Sequence, residues 1–197
     1  PDYIKDNAQN LINPVDIYYK IDTLDESVVE YSNSVLNDGP TTATALDLDN
    51  KTVTINTFRL NNVYFLVDAS QDMYVQGSIQ SGDPKGIILT VDANRTSPYN
   101  GTLSFGNYVS NNNNWSSKES VSTHNHSTVS YQFLKNQLNR KSLDDKGINM
   151  VSIINYTDGQ GKDDDNAMWH PGIKGIFLGG GTGFLLSRHA AACLDVV

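Results

Sequence analysis

The side chains best suited to chemistry in this 197-residue chain are its 4 histidines, its single cysteine and one crowd of carboxylates. His124 and His126 stand two positions apart. On a helix that spacing turns the rings to different faces, so the pair would not grip one metal ion. His170 and His189 lie far along the chain, and no pairing has ligand spacing; a buried, hydrogen-bonded His124 is the expected arrangement. The lone Cys193 excludes an internal disulfide and a cysteine-based zinc site. Asp158, Asp163, Asp164 and Asp165 crowd a glycine-containing loop, where mutual repulsion is relieved by solvent or by a cation such as calcium. Their spacing is not that of an EF-hand, and a solvated loop is the simpler expectation. The run Gly179-Gly180-Gly181-Thr182-Gly183 lacks the Lys-Ser/Thr ending of a phosphate loop. Phe184 stands where a dinucleotide fingerprint needs its third glycine, so a tight strand exit is expected instead. No Gly-x-Ser-x-Gly elbow singles out a nucleophilic serine. The Asn-x-Ser/Thr sequons at Asn50, Asn94, Asn100, Asn114, Asn125 and Asn155 arise readily in a chain so rich in these residues.

The elements that would position these groups follow from periodicity. The first thirty-odd residues show a weak hairpin pattern, and Asn37-Asp38-Gly39-Pro40 and the Thr/Ala stretch after it have linker composition. A domain boundary is expected there, with 39–197 as the main unit. Residues 52–58 alternate cleanly, Asn61-Asn62 reads as a turn, and 63–67 as a buried strand. Extended runs follow at 73–79, 86–91 and 102–109, then an exposed asparagine loop at 111–114. From Ser120, read as a cap, a helix is expected to about Lys141, with Val121, His124, Thr128, Tyr131, Leu134 and Leu138 on one face. Strands return at 148–156 and 173–178. The fold class is therefore α+β: a β-rich mixed or antiparallel sheet with one long amphipathic helix. The final residues, Ala190 to Val197, read as a helix opening, and a chain starting at Pro1 reads as a piece of a longer product.

Composition narrows the partners. Lys+Arg 14 against Asp+Glu 22 gives a net charge of −8, which disfavours nucleic acid, whose phosphates demand a basic surface. No apolar run is long enough for a membrane-spanning helix.

Three segments together resemble the thermolysin-like zinc metalloendopeptidases. Val121-Ser122-Thr123-His124, leading through Tyr131-Gln132-Phe133-Leu134-Lys135-Asn136 to Asn139-Arg140, resembles the family's long first helix. Asp165-Asn166-Ala167-Met168-Trp169 is similar to its Asn-Ala-Phe-Trp edge strand, and Leu194-Asp195-Val196-Val197 to the segment just before its His-Glu-x-x-His helix. The resemblance covers roughly residues 52–197. It implies that Asn166 and Ala167 hold an extended peptide substrate by strand addition, with Trp169 supporting the strand. It further implies that Val196 and Phe184 line a hydrophobic specificity pocket and that Asp195 binds structural calcium. Residues 1–38 would be the end of a pro-region. The zinc-binding motif itself does not occur in these 197 residues, so no catalytic residue is expected in the chain. The resemblance also departs in places: Ser122 replaces a usual Asp, His170-Pro171 a polar-Gly turn, and the glycine run lacks its aspartates.

The expectation is thus the N-terminal, substrate-cleft half of a secreted zinc metalloendopeptidase, inactive alone and partnered by the C-terminal half of its catalytic domain. The competing reading is a non-catalytic β-rich module that binds protein or carbohydrate through Trp115, Trp169 and asparagine side chains.

Overall fold

The computed structural model describes residues 38–99 and 103–181. The hairpin expected within 1–37 and the helix opening at 190–197 lie outside the described residues.

Threonine-rich alternation starts the fold. Strand β1 (Gly39–Leu46) pairs antiparallel with β2 (Thr52–Leu60), from Gly39 opposite Arg59 to Leu46 opposite Thr52. The stretch expected as linker is therefore a strand. Thr42 and Thr44 face outward, while Ala43 and Ala45 are buried in a cluster with Ile55, Leu66 and Val121. Linker composition and a small-residue strand look alike in one dimension. Asn61 and Asn62, both with positive φ, make the tight turn into β3 (Val63–Phe65), which also pairs with β7 (Val109–Ser110).

The second sheet carries the site. Its order is β4 (Val67–Asp68), β5 (Ile88–Asp92), β8 (Met150–Tyr156), β10 (Gly175–Gly179), β9 (Ala167–His170), with β6 (Gly106–Asn107) also on β5. Strands β5, β8 and β10 run parallel, whereas β4, β6 and β9 are antiparallel to their neighbours, so the sheet is mixed. Residues 73–79, expected as extended, are turns instead: Gly77, Gly82 and Gly86 take positive φ, and no ladder forms.

Among the described residues one helix, α1 (Lys118–Leu138), lies across this sheet. It begins before the expected Ser120. Ser117 has extended dihedrals and its hydroxyl accepts the Ser120 N–H, so Ser117 is the cap. Ser117→Ala is expected to cost about 1 kcal/mol, read as a lower urea midpoint at unchanged slope. The expected face is buried at Val121, His124 and Tyr131, but Leu138 is exposed. Small polar residues fill the rest of the contact: Ser122 Oγ accepts the Leu48 N–H, and Ser127 Oγ bonds Ser152 of β8. These serines let the helix sit close to the sheet while their own buried hydroxyls stay satisfied.

Candidate functional site

The register of β9 decides which of its groups face outward. The Gly179 N–H donates to the Asn166 carbonyl at 2.9 Å, and Leu178 lies opposite Ala167. That places Ala167 at a non-hydrogen-bonded pair of the antiparallel ladder, so its own N–H and C=O point away from β10. Trp169, two residues on, repeats the orientation. β9 is the last strand of its sheet, and among the described residues no strand pairs with its outer edge. A free row of donors and acceptors results, headed by the exposed Asn166 side chain.

Beside this edge lies an apolar trough of about 830 Å³, walled by Val129, Phe133 and Leu134 of α1 and by Met150, Ile176 and Trp169 of the sheet. Phe133 is 56% and Trp169 51% exposed, so the trough opens to solvent. Helix and Trp-bearing strand therefore border one groove, with Trp169 in its wall; Ala167 lies two residues earlier on the same strand, packed against Ile154 and Leu178, and Asn166 just precedes it. Phe184, Asp195 and Val196 lie outside the described residues.

Behind the edge stand side chains that sequence reasoning misses. The Tyr156 hydroxyl donates to the Asn166 carbonyl at 3.1 Å, and the Tyr99 hydroxyl lies 3.4 Å from Met168 Sδ. The two rings meet edge-on with centroids 6.4 Å apart. Burial raises both phenol pKa values, and the neighbouring Asp164 carboxylate raises them further, so both remain protonated donors. The signal in the sequence is modest: a polar Asn155 interrupting the buried run of β8 just before an aromatic.

The histidines have other work. His124 is fully buried; its Nε2–H donates to the Asn56 carbonyl at 2.8 Å, and Nδ1 lies 3.1 Å from Thr90 Oγ1. Burial lowers its pKa, against the pull of Asp68 and the Asn56 carbonyl, which favours a neutral ring. His170 Nδ1 accepts the Ile173 N–H at 3.3 Å. Among the described residues no three His, Cys, Asp or Glu side chains converge, so these residues do not fit a zinc ion. The acidic loop does not converge either. Asp158 accepts the Gln160 and Lys162 N–H groups, Asp163 pairs with Arg95 at 2.6 Å, and Asp164 sits beside the tyrosines. Trp115, offered with Trp169 for a carbohydrate surface, is partly buried in the β1–β2 cluster, its indole N–H bonded to Asn113.

Among the described residues the candidate site thus consists of a mixed sheet under a long helix, a bare edge strand and an apolar groove beside it. The chain belongs to the thermolysin metallopeptidase family: the family pattern described as "Thermolysin metallopeptidase, catalytic domain" matches residues 42–197. Among solved structures it is similar to the precursor of protealysin, a metalloproteinase from Serratia proteamaculans. The identity is 21% and the TM-score 0.39, over 54% of this chain and 30% of that one. The chain thus spans less than a third of that precursor's length. No curated protein matches it.

Proposed function

We propose that these residues form the substrate-cleft wall of a secreted zinc metalloendopeptidase, with residues 1–38 as the end of its pro-region. The observation that carries this reading is the outward-facing Ala167 and Trp169 backbone beside the apolar trough, in a chain of this family. A peptide added to that edge would exchange main-chain hydrogen bonds with Ala167, meet the Asn166 amide, and lay alternate side chains toward the groove. Zinc, when bound in the whole enzyme, supplies an activated water. The described residues do not hold it, and their share of the work is to bind and orient the substrate. By the same reading Asp195 binds structural calcium, Val196 and Phe184 belong to the specificity pocket, and the C-terminal half of the catalytic domain is the partner of this half.

Adding acetyl-Gly-Phe-Leu-Ala-amide to the chain and following amide resonances tests the reading. The shifts are expected at Ala167 and Trp169; shifts confined to other strands would sink it. The chain is further expected to leave peptides uncut with zinc added, and chelator-sensitive cleavage by the pure chain would contradict that.

A further inference from the structure

Strand β8 changes face partway along. Met150 packs with Tyr131 of α1 and Ser152 bonds Ser127 of α1, so the even-numbered positions look at the helix, and Ile154 follows them into a cluster with Leu178 and Ala167. Val151 and Ile153 occupy the opposite core with Val91 and Phe177. Strict alternation would send Tyr156 to the helix side. It lies instead with Val151, Ile153 and Phe177, its ring 5.6 Å from that of Phe177. The cause is Asn155. Its φ is 59°, in the left-handed region, and the β10 register jumps there, Leu178 opposing Ile154 and Gly179 opposing Tyr156. One extra residue in β8 reverses the side-chain alternation beyond it, as a bulge does. The Asn155 amide is held by Asp92 at 3.2 Å and the Tyr108 hydroxyl at 3.1 Å, and the Asn155 carbonyl accepts the Arg95 N–H at 3.0 Å.

We propose that Asn155 and Tyr156 are positioning residues for peptide binding: the bulge at Asn155 aims the Tyr156 hydroxyl at the Asn166 carbonyl and so fixes the start of the edge that receives substrate. This rests on the strand-addition reading of β9. The Asn166 carbonyl then has two donors, the Gly179 N–H and the Tyr156 hydroxyl. With both in place, the Asn166–Ala167 peptide plane cannot rotate, and the Ala167 N–H stays pointed at the free edge. A substrate strand meets a preset partner and loses less in ordering it.

The test compares three variants of the chain by two measurements, the affinity for acetyl-Gly-Phe-Leu-Ala-amide and the hydrogen exchange of the Gly179 amide. Tyr156→Phe keeps the ring and removes one hydroxyl. It is expected to weaken the peptide about fivefold and to speed Gly179 exchange by a similar factor, the worth of one hydrogen bond. The Thr90 and Ser152 amides, deeper in the sheet, should keep their rates, whereas a merely structural loss would speed them too. Asn155→Gly accepts the same φ and is expected to bind peptide within about twofold of the original. Asn155→Val resists that φ and should weaken the peptide at least about tenfold. Equal affinity and equal Gly179 exchange in Tyr156→Phe would overturn the proposal, as would an Asn155→Val chain that binds as well as the Asn155→Gly chain. Should the original chain show no peptide shifts at Ala167 and Trp169, the strand-addition reading fails, and with it peptide positioning; shifts present there but an unchanged Tyr156→Phe would reject the positioning alone.

Discussion

Replacing Gly179 with alanine is expected to pull β9 away from β10 and to cost about 3 kcal/mol. An alanine Cβ at this position would stand 2.1 Å from the Asp164 carbonyl oxygen and 3.0 Å from that of Asn166. Both are backbone atoms, and neither can swing aside like a side-chain end. Backbone conformation is not the obstacle, since Gly179 is not among the positive-φ glycines; the obstacle is closeness. To make room, the loop before β9 must withdraw, and the Gly179 N–H to Asn166 and Gly181 N–H to Asp164 bonds, 2.9 and 3.1 Å, lengthen with it. Gly172→Ala is the control, because its Cβ would meet only the His170 ring, at 3.3 Å. Urea unfolding gives the cost, and in a Trp115→Phe background Trp169 fluorescence reports locally on β9. A Gly179→Ala chain as stable as the control, with unchanged Trp169 emission, would mean that β9 does not approach β10 as described.

The contrast between that glycine and its neighbours shows what a linear reading reaches. The glycine run reads as a tight strand exit, and Gly179 and Gly181 do fold back onto the segment entering β9. The clean alternation of residues 52–58 and the buried-type run of β8 are legible because each strand has one continuous demand on polarity. β9 is not legible that way. It is four residues long, and only the resemblance of its Asn-Ala-Met-Trp string to a family edge strand locates it. Residues 73–79 mislead because a few apolar side chains, among them the buried Met73, suggest a strand where glycines dictate turns. On α1, periodicity turns Leu138 inward, yet the sheet no longer lies beneath it and the helix end opens on solvent. Periodicity describes the helix, not the length of its partner. The bulge at Asn155 is beyond reach for a related reason: a single left-handed residue leaves almost no trace in composition, although it redirects Tyr156.

Acidification from pH 7 to pH 5 is expected to destabilise the fold through His124. Its ring is fully buried, and burial outweighs the attraction of Asp68 and the Asn56 carbonyl, so its folded-state pKa lies below the ordinary value of 6.5. Above that value the ring is neutral folded or unfolded, and stability is flat with pH. Below it the unfolded chain takes up a proton that the folded chain refuses, and stability falls by up to about 1.4 kcal/mol per pH unit until the folded ring also protonates. His170 shifts in the same direction, again through burial, and its loss of stability on acidification adds to that of His124. Asp68 governs a second, lower window. Burial would raise its carboxyl pKa, but hydrogen bonds from the Ser70 hydroxyl and N–H, Gln71 and Asn56 more than offset this and hold it below 3.8. Its contribution is intact above that value and is lost as pH falls through the folded-state pKa. Two acid-sensitive steps are thus expected in the melting temperature, one beginning near the ordinary histidine value of 6.5 and one below the ordinary carboxyl value of 3.8. His124→Gln removes the titrating ring. It should be less stable at pH 7 yet lose less on acidification to pH 5 than the original chain, while the lower step persists. Equal slopes in the two chains across the upper window would show that His124 titrates in the folded protein as freely as it does unfolded, and that burial does not hold it neutral.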